Sequence, residues 1–197
     1  MILEHLYKSY GNLAVLSDCS FSFSPAGTYC LMAPSGAGKT TLLRIILGLE
    51  QADQGSISFP WLSRPADMSA VFQENRLCES FSPMDNLRLV TGKSLSQDAI
   101  RRELSFLLPE ESLSRPVSTL SGGMKRRTAI CRAMTAGSDL IVMDEPFTGL
   151  DEDTKKQTIS YIKSRQNGRL LLVATHQPED ISLLGAQLVT LKDGKLI

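Results

Sequence analysis

Apolar residues repeat along this chain in two different patterns. In residues 1–32 they alternate with polar ones, as Cys19, Phe21 and Phe23 do, and this alternation predicts half-buried strands. Later strands are predicted from short continuous apolar runs, which are typical of parallel strands buried on both faces. These runs are TYCLM, SAVF, LIVM and LLLVA. Helical segments separate them, and this alternation of strands and helices predicts an α/β fold.

The pattern turns helical between residues 74 and 121. Four apolar residues there follow the i, i+4, i+7, i+8 spacing of an amphipathic helix: Ile100, Leu104, Leu107 and Leu108. The length of the chain suits one globular domain. We therefore predict a single domain over residues 1–197, built from a core of residues 1–73 and 122–197 and an inserted helical subdomain over about 74–121.

Composition and charge narrow the function classes. Basic and acidic residues both number 21, so the formal net charge is zero and nothing favours nucleic-acid binding through bulk charge. No apolar run reaches the roughly 18–20 residues that cross a bilayer, and the N-terminal sequence lacks the pattern of a secretory signal. The four cysteines are scattered without a C-x-x-C pair, and three of them lie in apolar strand or helix patterns that are typical of reduced core residues. We therefore expect a cytosolic protein that binds no nucleic acid.

The stretch APSGAGKTT, residues 33–41, lies between an apolar strand and a predicted buried helix. Gly36 and Gly38 allow the backbone to direct its N–H groups at a phosphate chain, and the helix N-terminus adds positive charge. Lys39 would reach the β- and γ-phosphates, and the Thr40 hydroxyl would be a Mg²⁺ ligand. The alternative is an ordinary strand-to-helix turn that happens to contain glycine and lysine.

Ala33 departs from the strict phosphate-loop pattern G-x-x-x-x-G-K-[ST], which begins with glycine. A methyl group is harmless there if the residue has a negative φ. It costs about 1 kcal/mol or more if the turn requires a left-handed residue. The sequence alone leaves both possibilities open.

A second glycine-rich turn, Leu120–Met124, precedes the basic helix KRRTAICRAM. A serine followed by two glycines at a helix start can bind an anion through free N–H groups and the helix dipole. The same residues are also explained by a plain serine N-cap with flexible glycines. The motif alone is therefore only suggestive.

Two adjacent carboxylates, Asp144 and Glu145, follow the apolar run LIVM. In an open α/β sheet, ligands bind at the carboxyl ends of the strands. One carboxylate there can hold Mg²⁺ through water, and the other can orient and deprotonate an attacking water. The alternative, two acids in a solvated loop, is disfavoured because the preceding run is so apolar.

Two further residues have both a structural and a functional interpretation. His176 ends the apolar strand predicted over residues 169–175, and a lone histidine is more often structural than catalytic. Tyr10 lies beside a glycine in the first turn. Hairpin packing and an aromatic platform for a nucleotide base both remain open for Tyr10.

Taken in this order, the motifs resemble those of the ATP-binding cassette ATPases, the nucleotide-binding subunits of ABC transporters, over nearly the whole chain. The resemblance implies a P-loop NTPase core with a mixed, largely parallel sheet, N-terminal antiparallel strands and an inserted helical subdomain. The matching motifs are the A-loop at Tyr10, the Walker A loop at 33–41, the Q-loop at Gln73, the signature at 120–124, the Walker B strand at 139–146, the D-loop at Leu150–Asp151 and the switch histidine at His176.

The resemblance implies a role for each matching residue. The nucleotide-binding residues would be Tyr10, Ser35, Gly36, Ala37, Gly38, Lys39, Thr40 and Thr41. The Mg²⁺ ligands would be Thr40, Gln73 and Asp144, and catalysis would involve Glu145, His176, Gln73 and Lys39. Ser121, Gly122 and Gly123 would close over the ATP of a second subunit, with Asp151 in the D-loop. Met124 departs from the family pattern, which has glutamine more often.

The resemblance also implies cofactors and partners. These are ATP and Mg²⁺, a second copy of the chain, transmembrane permease subunits at the cytoplasmic face of the membrane, and a substrate-binding protein. Residues 74–87, with Leu77, Phe81 and Met84, would line a groove for the permease. The stretches AVFQENRL, LSGGMKRR and MDEPFTGLD are similar to importers of the nitrate, sulfonate and taurine type.

Two other functions stay open at this point. One is a soluble cassette ATPase acting on nucleic acid or ribosomes, which the neutral charge and the single cassette disfavour. The other is a regulatory nucleotide-binding cassette with feeble hydrolysis. Ala33 favours that second alternative, whereas Glu145 and His176 argue against it.

Overall fold

Strands and helices alternate along most of the chain, and the computed structural model describes all 197 residues. The nine strands are β1 (Ile2–Tyr10), β2 (Leu13–Ser22), β3 (Thr28–Met32), β4 (Gln54–Ser58), β5 (Met68–Val71), β6 (Leu140–Asp144), β7 (Leu170–Ala174), β8 (Gln187–Lys192) and β9 (Lys195–Leu196). The six α-helices are α1 (Lys39–Ile46), α2 (Pro83–Thr91), α3 (Gln97–Ser105), α4 (Gly122–Thr135), α5 (Glu152–Arg165) and α6 (Glu179–Leu184). No helix is long and apolar enough to cross a membrane.

The elements group into two units. The first unit comprises residues 1–70, 139–145 and 168–197, and the second comprises residues 71–138 and 146–167. Helices α2 to α5 belong to the second unit, so α4 and α5 group with the two helices of the predicted insertion. The predicted subdomain boundaries at residues 74 and 121 stay a prediction.

The first unit contains a small antiparallel sheet and a larger mixed sheet. In the small sheet, β1 lies between β2 and β4 and pairs antiparallel with both. The larger sheet has the order β5-β6-β7-β3-β8-β9. Within it, β6, β7, β3 and β8 are parallel, and β9 runs antiparallel to β8. These sheets confirm the predicted α/β class with antiparallel N-terminal strands.

Two neighbouring strands of the larger sheet, β6 and β7, are buried along their whole length. Every residue of β6 and β7 is buried, as expected for parallel strands covered on both faces. One apolar cluster joins both sheets to α1, with Leu3 of β1, Leu42 of α1 and Leu172 of β7 among its members. This core holds the ends of the strands, and the loops that follow them, in place.

The second unit is helical, and its apolar residues are buried as the spacing predicts. Ile100 and Leu104 lie on α3, but that helix ends at Ser105. Leu107 and Leu108 are buried from the turn after it, where both of their N–H groups donate to the Leu104 carbonyl. The predicted helix through residue 108 is therefore too long, because the proline at position 109 disfavours helical backbone in the residue before it.

A polar network joins three helices of the second unit. Glu103 of α3 accepts from Arg165 Nε at 2.8 Å and from the Tyr161 hydroxyl at 3.0 Å, both on α5. The Tyr161 hydroxyl also lies 3.2 Å from Cys131 Sγ on α4. Burial raises the pKa of the Cys131 thiol to about 12. A thiol with that pKa is protonated and unreactive near neutral pH, as predicted for a core cysteine.

Candidate functional site

Three parallel strands bring three distant segments to one edge of the larger sheet. Asp144, the last residue of β6, is in register with Ala174 of β7, which is in register with Leu31 of β3. The segments that follow are the glycine-rich loop, Glu145 and His176. Parallel strands place such segments at the carboxyl edge of the sheet, where ligands bind in open α/β sheets.

The glycine-rich loop contains two residues in the left-handed region, Gly36 at φ 77° and Gly38 at φ 95°. A Cβ atom on Gly38 would lie 2.4 Å from Val15 Cγ1, so this position needs glycine for space as well as for its backbone conformation. The other predicted nucleotide-binding residues here are partly or fully exposed: Ser35, Ala37, Thr40 and Thr41. The sequence pattern thus coincides with a loop that other residues could not form.

Helix α1 starts from this loop without a side-chain cap. Four other helices have one, provided by Ser82, Ser96, Ser121 and Asp151. The first N–H groups of an α-helix have no partner inside the helix. Because no side chain caps α1, its N-terminus is suited to binding an anion, and this supports the phosphate-loop interpretation over an ordinary turn.

Ala33 is not one of the six non-glycine residues with positive φ. It is buried in the apolar cluster of the first unit, and its carbonyl accepts a hydrogen bond from Lys39 Nζ at 3.1 Å. The methyl group therefore carries no left-handed backbone penalty. Alanine is therefore compatible with the backbone conformation at position 33. Its presence in place of glycine is no argument for a defective nucleotide site.

We expect Ala33→Gly to leave ATP affinity unchanged within about twofold. The substitution relieves no backbone strain. It removes a buried methyl group and increases the conformational entropy of the unfolded chain. The free energy of unfolding should fall by about 1 kcal/mol. Isothermal titration with ATP and chemical denaturation measure the two quantities. A several-fold gain in ATP affinity would show that position 33 does need a left-handed residue.

Lys39, the first residue of α1, is buried, and it contacts His176, which in turn contacts Glu145. Its Nζ lies 2.8 Å from His176 Nε2, and His176 Nε2 lies 2.9 Å from Glu145 Oε1. The imidazole nitrogen can accept from Lys39 when unprotonated or donate to Glu145 when protonated, but it cannot do both. The imidazole thus lies within hydrogen-bond distance of both a cation and a carboxylate.

Burial is the main influence on the charge of Lys39. It lowers the pKa of the ammonium group, and the nearby carboxylates of Glu145 and Asp144 act in the opposite direction. A partly desolvated ammonium interacts more strongly with a phosphate than one in bulk water does, because the effective dielectric constant is lower. The position of Lys39 therefore suits it to binding a highly charged anion.

Glu145 has a backbone conformation that few glutamates adopt. Its φ is 48°, and its N–H donates to the Ala174 carbonyl at 2.9 Å. A left-handed residue other than glycine costs on the order of 1 kcal/mol and persists where the surrounding structure requires it. Here the turn directs the carboxylate back to His176 at the sheet edge.

Two of the predicted Mg²⁺ ligands belong to the first unit. Asp144 is buried at the end of β6, and Thr40 is exposed next to Lys39. The chain has no group of three or more His, Cys, Asp or Glu residues that could hold a metal. Mg²⁺ is commonly bound by one or two protein oxygens together with waters and substrate phosphates. One carboxylate and one hydroxyl fit that mode of binding.

A buried hydroxyl and a buried carboxylate fix the segment that carries His176. Thr175 Oγ1 donates to Asp180 on α6 and accepts from the Gln177 N–H at 3.1 Å. Both Thr175 and Asp180 are almost fully buried. Neither residue is indicated as functional by the sequence, because a threonine and an aspartate five positions apart form no distinctive pattern.

Tyr10 is held by residues that the sequence analysis also missed. Its hydroxyl donates to Glu50, and the Lys8 ammonium lies 5.4 Å from the centre of its ring. The hydrogen bond from Tyr10 lowers the pKa of Glu50, and Lys8 adds to that effect. The ring itself is half exposed, so one edge is anchored while a face stays accessible. This arrangement is compatible with an aromatic platform for a nucleotide base.

The remaining predicted residues lie in the second unit. Ser121 is the N-cap of α4, where its hydroxyl accepts from the Met124 N–H at 3.3 Å. A Cβ atom on Gly123 would lie 3.3 Å from Leu150 Cδ2, whereas one on Gly122 would meet nothing within 4 Å. The serine-cap interpretation of this motif is thus realised, and both glycines keep their N–H groups at an exposed helix start.

Asp151 and Gln73 are both exposed in this unit. Asp151 caps α5, and it accepts from the Thr154 N–H at 2.9 Å and from the Thr154 hydroxyl at 2.7 Å. These bonds, the backbone one first, lower the pKa of Asp151. Gln73 follows β5, and its carbonyl accepts from Arg126 of α4.

Comparisons with known proteins find similar sequences and structures. A family model described as ABC transporter matches residues 16–148. The Nod factor export ATP-binding protein I of Paraburkholderia xenovorans is 34% identical, over 98% of this chain and 68% of its own length. The sulfate/thiosulfate import ATP-binding protein CysA of Anthoceros angustus is 30% identical, over 100% of this chain and 55% of its own length. The chain thus spans between about half and two thirds of these relatives.

Solved structures show the same fold. One, titled as the dimeric structure of a post-hydrolysis state of the ATP-binding cassette MJ0796 bound to ADP and Pi, has a TM-score of 0.85 and 24% sequence identity. The match covers 99% of this chain and 95% of that one. A second structure, the dimeric MJ0796 cassette, has a TM-score of 0.84. At this identity the likeness establishes the fold.

Proposed function

We propose a transport mechanism for this chain on the premise that it belongs to the ABC transporter family of ATP-binding cassettes. The chain is accordingly an ATP-binding subunit with ATPase activity. In the mechanism that we propose, ATP joins two cassettes, and hydrolysis releases them, which drives a membrane permease. The transported solute is not encoded in these residues, since the two relatives above are named for export and for import.

The observation that supports this proposal most directly is the convergence of Lys39, His176 and Glu145. The three side chains come from segments up to 137 residues apart. Lys39 Nζ lies 2.8 Å from His176 Nε2, and His176 Nε2 lies 2.9 Å from Glu145 Oε1. Phosphoryl transfer needs charge neutralisation and positioning more than covalent catalysis. A buried cation beside a carboxylate and an imidazole provides both for a terminal phosphate and its attacking water.

Each of these side chains has one proposed task. Lys39 and the N–H groups of the loop from Ser35 to Thr41 hold the phosphates. Glu145 orients the attacking water and accepts its proton, and His176, which already contacts both partners, binds the γ-phosphate. Tyr10, fixed by Glu50, stacks on the base.

Mg²⁺ would neutralise the charge that develops on the β- and γ-phosphates. Thr40 and Asp144 are its proposed ligands in the first unit. Gln73 is proposed to contribute a further oxygen, a role carried over from the family resemblance. A small number of protein ligands is compatible with a metal that arrives bound to its nucleotide.

A second copy of the chain is the proposed partner for the signature residues. Ser121, Gly122 and Gly123 form the exposed start of α4, where N–H groups and the helix dipole favour an anion. The MJ0796 cassette of the same fold is dimeric with ADP and Pi. We infer that these residues close over the γ-phosphate of the partner, so that hydrolysis weakens the dimer.

Permease subunits are the proposed membrane partner, and they would hold the chain at the cytoplasmic face of the membrane. A substrate-binding protein is proposed as a further component of the transport system. Of the three residues expected to line the groove, Phe81 is exposed, Leu77 is half-buried and Met84 is buried. The expectation for Met84 is wrong, because it packs inside the second unit. Phe81 keeps an accessible ring while its backbone bonds to Val117 and Cys78.

We expect Phe81→Asp to abolish binding to the permease while sparing ATP hydrolysis by the isolated chain. An aromatic anchor at an interface commonly contributes 2 kcal/mol or more, so recovery of the complex should fall about tenfold or more. The measurement is co-purification of the tagged chain from detergent-solubilised membranes, with identification of any multi-span protein recovered.

Leu89→Asp, at another exposed apolar position of the same unit, is the matched control and should retain the partner. Circular dichroism checks that both variants fold. If the Phe81 variant retains the membrane partner in full, Phe81 is not part of the permease interface. If it loses its fold, Phe81 belongs to the core of the second unit instead.

A further inference from the structure

The loop after β5, residues 72–76, is attached to helix α4 by two arginines. Arg126 donates from Nη1 to the Phe72 carbonyl at 2.5 Å and from Nη2 to the Gln73 carbonyl. Arg132 donates from Nη1 to the Arg76 carbonyl at 2.9 Å and from Nη2 toward the Asn75 carbonyl at 3.5 Å. Four of the five backbone carbonyls of this loop thus face guanidinium groups of one helix.

The loop is held in a conformation that its own residues do not favour. Arg76 has a φ of 46°, in the left-handed region that side chains other than glycine rarely adopt. The Oδ1 atom of Asn75 is buried without a hydrogen-bond partner. Such local costs persist where the surrounding structure imposes them. The contacts that impose them here include the two guanidinium groups and the stacking of Arg76 over the Phe72 ring at 3.9 Å.

Arg126 is the stronger of the two attachments. Its side chain is only 8% exposed, and a buried guanidinium needs acceptors for its N–H groups. The planar fork binds two consecutive carbonyls, a geometry that lysine cannot reproduce. Arg132 is also desolvated, and this burial lowers its pKa. The loop carbonyls therefore provide hydrogen-bond acceptors for both desolvated guanidinium groups, and the guanidinium groups in turn hold the loop.

Helix α4 connects this loop to the proposed signature residues. Its first turn contains Gly122 and Gly123, its N-cap is Ser121, and the two arginines lie further along the same helix. A rigid helix that moves at its N-terminus also moves the groups attached to its middle. The carbonyl of Gln73 is one of those groups.

We propose that Arg126 and Arg132 are positioning residues that fix Gln73 to the signature helix, so that Mg²⁺-dependent turnover depends on this attachment. The inference rests on the proposed role of Gln73 and extends it. Neither arginine touches the nucleotide; each acts through the backbone of residues 72–76. Binding of ATP without Mg²⁺ therefore does not require them.

The experiment compares Arg126→Met, Arg126→Lys, Gln73→Ala and the double variant Gln73→Ala/Arg126→Met. Removing a group that orients a metal ligand typically costs about 10–100-fold in metal affinity or activity. Arg126→Met should therefore raise the Mg²⁺ concentration for half-maximal ATP hydrolysis, or lower kcat, by about that factor, with Mg²⁺-free ATP affinity unchanged. Arg126→Lys should recover only part of the loss. In the Gln73→Ala background, Arg126→Met should cause less than about a twofold further change in the Mg²⁺ requirement or in kcat, because both substitutions act through one residue.

Arg165→Met is the matched control, because it removes a guanidinium from the same unit that binds Glu103 and not the loop. It should lower the melting temperature and leave the Mg²⁺ dependence unchanged. Amide hydrogen exchange should show faster exchange after β5 in Arg126→Lys than in Arg165→Met.

Equal losses from Arg126→Met with and without Gln73 would overturn the inference. So would Arg126 variants in which both the Mg²⁺ dependence and kcat are unchanged while Gln73→Ala is impaired. If Gln73→Ala itself behaves as wild type, the proposed role of Gln73 fails and the inference fails with it. In either case ATP binding by the phosphate loop is unaffected, so the failure is distinct from a failure of the ATPase assignment.

Discussion

Lys39→Ala is expected to reduce ATP affinity by about two orders of magnitude or more. In the structure the ammonium group is buried and its pKa is lowered by desolvation, so its interaction with phosphate is poorly screened. Removing one partner of such a charge pair costs about 2–5 kcal/mol or more, which corresponds to roughly 30- to several-thousand-fold in affinity. Titration with ATP, with and without Mg²⁺, measures the loss.

The variant also loses contacts that exist without nucleotide. Lys39 donates to the Ala33 carbonyl and contacts His176, so thermal unfolding must be measured alongside binding. Lys156→Ala removes an exposed lysine of α5 paired with Glu152, and it should bind ATP as wild type does. ATP affinity within twofold of wild type in a folded Lys39→Ala protein would contradict the phosphate-loop assignment.

Glu145→Gln is expected to lower the turnover of ATP by about 10²–10⁴ while ATP still binds. The amide keeps the size of the side chain, and it needs the same left-handed backbone at φ 48°. It removes the base that would accept a proton from water and one negative charge beside Lys39 and His176. Phosphate release under saturating Mg-ATP measures the effect.

The same variant should make the proposed dimer visible. With hydrolysis blocked, bound ATP persists and holds two copies together through Ser121 and the two glycines after it. Size-exclusion chromatography over a range of protein concentrations should show a dimer with Mg-ATP. Adding Ser121→Arg, which places a bulky charge at the start of α4, should restore the monomer.

Glu111→Gln changes an exposed glutamate of the second unit in the same way and should retain wild-type turnover. Wild-type turnover in Glu145→Gln would refute the assignment of Glu145 as the base. An inactive variant that binds ATP but stays monomeric at every concentration would show that ATP alone does not join two isolated cassettes.

Local patterns were sufficient to predict most of the helices and strands. The continuous apolar runs of β6 and β7 correspond to strands buried at every residue, because a parallel strand at the centre of a sheet has no solvated face. Gly36 and Gly38 marked a glycine-rich turn in the sequence, and both have the left-handed backbone that glycine adopts most readily. In each case the residues that indicate the structure are close together in the sequence.

Local patterns failed where a residue's environment comes from elsewhere in the chain. Met84 was expected in an exposed groove and is buried, and Leu107 was expected on a helix that ends at Ser105. Glu50 anchors Tyr10 across 40 positions, and no spacing in the sequence indicates that contact. A polar residue in a loop has the same appearance in the sequence whether or not a distant partner exists.

By itself, the sequence determined the class of fold, the glycine-rich loop before α1 and the residue types at the ends of the strands, because hydrophobic period and glycine content are local properties. Only the tertiary structure decided that Ala33 avoids positive φ, that Lys39 meets His176 and Glu145, and that Arg126 holds the loop of Gln73. The physical reason is register. The pairing of Asp144 with Ala174, and of Ala174 with Leu31, sets which loops meet at the sheet edge, and that pairing depends on the packing of the whole core.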